Sequence, residues 1–139
     1  MNKLVLIAAL AAFSALVGCD KKNNPTNPPV ANIPVVTNVP DAFTFNLSAT
    51  SYTGTQQYTL SFSTDTVACS LTVTGQTAGS GSLIVADSNY STVYADSVLS
   101  NQVVVFTQSG KGVPKRIVLA FNGYSGTISF TLARGSSAH

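Results

Sequence analysis

The stretch that decides the fold is Val67-Ala68-Cys69-Ser70-Leu71-Thr72-Val73-Thr74. Apolar residues occupy every second position, and small or hydroxyl-bearing residues fill the positions between them. Because successive side chains of a β-strand point to opposite faces, this alternation predicts a strand with one buried and one wet face. It also places Cys69 on the buried face, where we expect the thiol to pack as a small apolar group.

The same two-residue period occurs on both sides of this stretch, at 43–49, 58–62, 117–121 and 128–132. No helical period interrupts 41–134, so the pattern predicts an all-β domain, an antiparallel β-sandwich of about eight strands. Jelly-roll and immunoglobulin-like connections both fit. The chain has no Trp and no Cys pair within the domain, so the immunoglobulin hallmarks are missing and the jelly roll is slightly favoured.

Turn residues divide these strands. We expect a hairpin turn at 53–55, a Gly-rich loop over 75–81 and another turn at 122–126, whose form resembles the ends of small bacterial jelly-roll domains. The stretch 103–107 differs from the other strands because its apolar side chains point to both faces. It is therefore expected to be buried on both sides, as a central strand would be.

Charge is sparse across the predicted domain. Four basic and four acidic residues balance over 41–134, and the whole chain of 139 residues has a formal net charge of +2. Since affinity for a phosphate backbone comes mainly from Lys and Arg, we expect no nucleic-acid partner. Glu is absent while Ser and Thr are abundant, which predicts strands whose outer faces carry hydroxyl groups.

The N-terminus has the pattern of an export signal. Lys3 precedes an apolar run from Leu4 to Leu16 that only Ser14 interrupts, and polar residues follow Cys19 at once. A basic start, a short apolar core and small residues at the end are typical of a secretory signal peptide. The run is too short for a membrane span, which needs about 20 apolar residues.

Leu16-Val17-Gly18-Cys19 resembles the lipobox of bacterial lipoproteins. This resemblance implies that Cys19 receives a diacylglycerol, that cleavage follows just before it, and that the mature protein is anchored to a membrane of the cell envelope on its periplasmic side. Asp20 resembles the residue that retains some lipoproteins in the inner membrane; a merely polar start to a linker fits equally well. If Cys19 is lipidated, Cys69 has no disulfide partner in the chain.

These features predict four segments. They are a signal peptide (1–18), a lipidated Cys with a Pro/Asn-rich tether (19–40), the β-sandwich domain (41–134) and a disordered tail (135–139). The more apolar end of the tether, 33–39, could add an edge strand, because Pro is tolerated at sheet edges.

Groups for acid-base or nucleophilic chemistry are scarce. The single histidine is the last residue, His139, and Asp65, Asp87 and Asp96 lie in separate predicted turns or irregular segments. Cys69 is expected to point inward without a base beside it, so the logic of a catalytic triad fails. We therefore predict no catalytic residue, no metal site and no cofactor.

Tyrosines are the one suggestive surface feature: Tyr90 and Tyr124 lie in or beside predicted turns, and Tyr94 lies in an irregular segment. Aromatic rings at a surface can stack on sugars or anchor a protein partner. We predict a membrane-anchored lipoprotein with a non-catalytic, structural or binding role in the cell envelope. One alternative is a carbohydrate-binding module that uses these tyrosines, and the other is protein binding by strand addition at an exposed sheet edge.

Overall fold

The computed structural model describes residues 31–136. In this range the alternating pattern forms six strands and no helix, which confirms the all-β class. The strands are β1 (Val35–Val39), β2 (Ala42–Thr59), β3 (Val67–Ala86), β4 (Thr92–Val98), β5 (Gln102–Gln108) and β6 (Arg116–Arg134).

All six strands belong to one antiparallel sheet with β6 at its centre. β2 pairs with one edge of β6 and β3 with the other, and β1 continues the sheet beyond β2. The far edge of β3 is shared, because β5 pairs with residues 67–73 and β4 with residues 81–86. The predicted sandwich of about eight strands is not confirmed, since these residues form six strands in a single sheet.

The number of strands was overestimated because the chain does not turn back at three places where the sequence predicted a turn or loop. The predicted turns at 53–55 and 122–126 lie inside β2 and β6, and the predicted loop 75–81 lies inside β3. Hydrogen-bonded pairing resumes after each of them with a shifted register. Such irregularities bend and twist a strand without ending it. Glycine and small polar residues therefore mark bends in this chain where the sequence pattern suggested turns.

These bends fold the sheet over on itself. The rings of Phe43 and Tyr58 lie 5.4 Å apart between centroids, although both belong to β2. Fifteen residues along a straight strand would separate them by about 50 Å. The two ends of β2 also meet, because the backbone N–H of Asp41 donates to the carbonyl of Ser61 at 3.1 Å.

The folding produces two layers that face each other. The front layer contains β1, β5 and residues 42–49, 67–74 and 126–134 of the long strands. The back layer contains β4 and residues 54–59, 80–86 and 116–122. Rings from opposite layers touch, as Phe45 does with Phe121 at 6.2 Å and Tyr94 with Phe106 at 4.9 Å.

The hydrophobic core fills the space between the layers. Inward positions of the alternating strands supply it, and the largest fully buried side chains include Phe43, Phe45, Phe130, Leu47, Leu71 and Ile117. Cys69 is buried among them, which confirms its predicted packing role. The outward positions of the front layer carry mainly Thr and Ser, as the composition predicted.

Two predictions about edges have opposite outcomes. β1 forms the predicted edge strand and pairs only with β2 within the described chain. The prediction that 103–107 is a central strand is wrong, because β5 pairs only with β3 in that same range. One of its two apolar faces covers the core, while Val103 and Val105 on the other are 70% and 73% exposed.

Candidate functional site: the free edge of β5

β5 is a short strand made almost entirely of residues that favour extended backbone. Its sequence is Gln-Val-Val-Val-Phe-Thr-Gln, and β-branched and aromatic side chains suit a pleated sheet. It ends before Gly110, whose φ of 74° turns the chain into the next loop. That loop is held to the sheet by Asp65, since Oδ2 of its carboxylate accepts a hydrogen bond from the Gly110 N–H at 3.1 Å.

The side of β5 that faces away from β3 is open. Alternate residues of an antiparallel strand direct their N–H and C=O groups away from the partner strand. Among residues 31–136, only β3 hydrogen-bonds to the backbone of Gln102–Gln108. Neither Pro nor a charged residue occurs in the strand. β5 therefore presents an unprotected edge of the kind that natural sheets usually blunt.

Other edges of the sheet are protected. Pro34 and Pro40 flank β1, and Pro cannot donate to an added strand. Where β1 ends, the Asn38 side chain donates from Nδ2 to the Thr59 carbonyl of β2 at 2.8 Å. β4 carries a charged residue, Asp96, whose Oδ2 accepts a hydrogen bond from the Tyr94 hydroxyl at 2.7 Å.

β5 itself protects β4. The side chain of Gln108 donates from Nε2 to the Val93 carbonyl at 2.7 Å, and that of Gln102 donates to the Ser97 carbonyl at 3.1 Å. These two glutamines bridge the layers along the edge formed by β4 and β5. They occupy carbonyls of the back layer and leave the outer backbone of β5 without a comparable cover in the described chain.

The β5 edge is suited to binding an extended strand. Backbone hydrogen bonds would supply affinity, and the exposed Val103 and Val105 would supply apolar contact. Sequence reasoning missed this site because a strand that is apolar on both faces looks buried. Only the sheet order shows that β5 lies at the rim.

The three predicted tyrosines do not form a common surface. Tyr124 is 0% exposed, so its expected surface position is wrong: the segment around it is a bend in β6 that turns the ring into the core. Tyr94 is half-buried and packs against Phe106 and Phe130. Only Tyr90 stands in solvent, with 71% of its surface exposed.

A small depression lies beside Tyr90. It has a volume of about 170 Å³ and is lined by Thr59, Asp87, Ser88, Tyr90, Lys115 and Arg116. The guanidinium carbon of Arg116 sits 4.2 Å from the centroid of the Tyr90 ring, so one face of this ring is already covered. A sugar could stack only on the other face.

The acidic residues considered for catalysis are occupied locally. Oδ1 of Asp87 accepts the backbone N–H groups of Asn89 and Ser91 at 2.8 and 2.9 Å, which builds the loop between β3 and β4. Asp65 and Asp96 make the loop and tyrosine contacts described above. No group of three His, Cys, Asp or Glu residues that could hold a metal ion occurs within 31–136.

Cys69 lies 3% exposed between the layers. Burial raises the pKa of its thiol to about 12. Because the thiolate is the reactive form, a thiol in this environment is a poor nucleophile at neutral pH.

Three predicted features lie outside the described residues: the signal peptide, the lipidated Cys19 with Asp20, and the terminal His139. Residues 31–136 contain no helix long and apolar enough to cross a membrane. No protein-family model matches the chain, and no curated protein is significantly similar to it.

Proposed function

We propose that this chain is a lipid-anchored protein of the bacterial cell envelope whose folded sheet binds a protein partner by strand addition at β5. The apolar run and the Leu-Val-Gly-Cys motif support Cys19 as the anchor. The Pro/Asn-rich segment after Cys19 serves as the tether, and the two facing layers act as a compact β-sandwich that presents the binding edge. The role is non-catalytic.

The observation that carries this proposal is the combination of a free backbone edge and exposed valines on one uncharged strand. Each net hydrogen bond gained with a partner contributes about 0.5–1.5 kcal/mol. Val103 and Val105 face outward, so an added strand covers them only in part, and each contributes less than the roughly 1.5 kcal/mol of full burial. These gains must offset the entropy lost on association, so the expected binding is weak and reversible.

Charge supports the choice of a neutral, extended partner. The outward positions of the front layer near β5 are Ser70 and Thr72 on β3, together with Thr107 on β5 itself. None carries a charge, so the edge offers no electrostatic attraction to a strongly acidic or basic segment. A strand rich in Val, Ile, Thr or Phe is the expected ligand.

Site-specific photo-cross-linking in the intact envelope tests the binding edge. A photoreactive side chain at position 105 should yield covalent adducts, and adding Val103→Lys should abolish them, because lysine on an edge strand opposes pairing. Thr127→Lys is the matched control, since it adds the same charge to the outer face of the same layer but on the central strand. Adducts that persist with Val103→Lys, or no adducts at all, would contradict strand addition at β5.

The anchor has its own test. Cys19→Ser should move the protein from the membrane fraction to the soluble periplasmic fraction, because two or more acyl chains are what hold such a protein on a bilayer. Mass spectrometry of the N-terminal peptide should show a diacylglycerol thioether on Cys19 of the parent protein. An unmodified thiol there would refute the anchor.

A further inference from the structure

The sequence of β5 is nearly symmetric about its central residue. Val105 stands in the middle of Gln102–Gln108, with a glutamine at each end. Moving outward from the centre, Val104 corresponds to Phe106, and then Val103 to Thr107. A strand with this symmetry can pair antiparallel with a second copy of itself in register.

The pairing follows directly from a two-fold axis at Val105. Each Val105 then lies opposite its counterpart, Val103 lies opposite Thr107 of the other copy, and the terminal glutamines face each other. Apolar and β-branched residues directly opposite each other stabilise an antiparallel pair. In this register Val105–Val105 and Val104–Phe106 are apolar pairs, and Val103–Thr107 joins two β-branched residues.

The flanking segments also tolerate this arrangement. The first charged residue after the strand is Lys111, which lies beyond the turn at Gly110 and outside the paired segment. Because the register brings no like charges face to face, the pairing avoids the usual electrostatic penalty against self-association.

We propose that the strand that adds to β5 is β5 of a second copy of this chain, paired about a two-fold axis through Val105. This inference rests on the proposed strand addition at β5 and names the partner. A two-fold interface uses the same patch on both subunits, which is the commonest arrangement among soluble oligomers. The two front layers then form one continuous antiparallel sheet.

The outer surface of that continuous sheet is uncharged. Outward positions run from Val35 and Thr37 on β1, through Thr44 and Thr131, to Ser70 and Val105 on β5. Across the two-fold axis the same series repeats in reverse order. Val103 and Val105 thereby gain neighbours on both sides within the sheet, which reduces their exposure relative to the single copy.

The membrane tether makes a small interface sufficient. Pairing of two seven-residue strands buries less than the roughly 1,200 Å² at which stable complexes begin, so association of free copies is weak. Two copies confined to one bilayer surface meet at a much higher effective concentration than free copies do. The dimer is therefore expected on the membrane, where the proposed anchor places the chain.

Cysteine substitution tests the register in isolated membranes that carry the full chain. Val105→Cys places two thiols on directly opposed residues, whose Cα atoms are about 4.5–5.5 Å apart, within the range that a disulfide requires. Val103→Cys is the matched control, because the two copies of this residue lie four positions apart along the strand, about 13 Å. Mild oxidation should give the covalent dimer at least about tenfold faster for Val105→Cys than for Val103→Cys.

The parent chain provides the baseline. Its Cys69 is 3% exposed and should form no dimer on oxidation. Equal dimer yields from Val105→Cys and Val103→Cys would overturn the proposed register.

Charge substitutions give an independent test on the membrane. Val105→Lys opposes lysine to lysine at the axis and should lower proximity-dependent energy transfer between labelled copies to the background level. Mixing Val105→Lys copies with Val105→Glu copies should restore the signal, because opposite charges then face each other. Val103→Lys, which faces Thr107, should also abolish the dimer, but mixing it with Val103→Glu copies should not restore the signal.

The results separate this inference from the proposed function. No dimer from Val105→Cys, combined with photo-adducts at position 105 that contain a different protein and are lost with Val103→Lys, overturns the second copy and retains strand addition. No dimer and no adduct overturns both. A dimer that forms when Val105→Lys copies are mixed with Val105→Glu copies supports both the second copy as partner and strand addition at β5.

Discussion

The most direct test of the folded sheet is the substitution Gly79→Ala, which adds a methyl group at this position. This residue lies in the bend of β3 and has a φ of 72°. A Cβ atom there would lie 2.3 Å from both the carbonyl carbon and the oxygen of Gly123, in the bend of β6. Carbon atoms in contact normally stay about 3.5–4.0 Å apart. Because the atoms it meets belong to the backbone, no side-chain rotation relieves the overlap.

The control for this substitution lies four residues earlier. Gly75 has a similar φ of 60°, yet a Cβ there meets nothing within 4 Å. Gly75→Ala therefore reports the cost of the left-handed conformation alone, about 1–2 kcal/mol. Gly79→Ala adds the displacement of β3 from β6, which we place at about 1–3 kcal/mol by analogy with overpacked cores.

Denaturant unfolding of the full chain, followed by circular dichroism, measures the difference. We expect Gly79→Ala to lower the free energy of unfolding by about 2–5 kcal/mol, and Gly75→Ala by about 1–2 kcal/mol. This loss is a large share of the total for a small domain, about 5–15 kcal/mol. Equal losses from the two variants would refute the close contact between the bends of β3 and β6.

Three further predictions concern single side chains. The hydroxyl of Tyr124 is buried without a hydrogen-bond partner among the described residues, so Tyr124→Phe should leave the free energy of unfolding unchanged or raise it by up to about 1 kcal/mol. Tyr58→Phe is its control and should lower stability by about 0.5–1.5 kcal/mol, because the Tyr58 hydroxyl donates to Gln56 Oε1. Hydrogen bonds from the backbone N–H and then the hydroxyl of Ser63 hold the pKa of the Asp41 carboxyl below its ordinary value of 3.8. A lowered pKa stabilises the fold above pH 3.8, and this contribution is lost as the pH falls through the folded-state pKa. In Asp41→Asn the free energy of unfolding should therefore fall less steeply with decreasing pH in this range than it does in the parent protein. The same acid dependence in both proteins would contradict the assignment. Finally, alkylation of Cys69 at pH 8 should proceed only as fast as the protein opens, since burial raises its pKa to about 12; rapid labelling of the folded protein would be inconsistent with the closed core.

The all-β class and the buried faces of several strands were predictable from local pattern. Alternation in 43–49, 67–73 and 128–132 identified the strands and their buried faces, because in a strand with a period of two the apolar residues all lie on one face. The burial of Cys69 followed from the same alternation, whereas the edge strand near 33–39 was predicted from its apolar residues and its proline.

Bends and turns could not be distinguished in this way. The segments around Gly54, Gly79 and Gly126 have the residue types of turns. Whether the chain turns back or only bends there depends on which strand it pairs with afterwards. Mistaking a bend for a turn also misplaced one of the three candidate tyrosines. Tyr124, expected at an exposed turn, is buried in the bend of β6.

The alternation of apolar and hydroxyl side chains determined, without any tertiary information, that this chain forms antiparallel strands with a wet face and a dry one, because strand geometry imposes that period. Apart from β1, whose proline indicated an edge, the position of each strand in the sheet was decided by the tertiary structure alone. Position depends on pairing between residues far apart in the chain, and a local pattern carries no record of it. That is why β5, apolar on both faces, looked like a central strand and is instead an open edge.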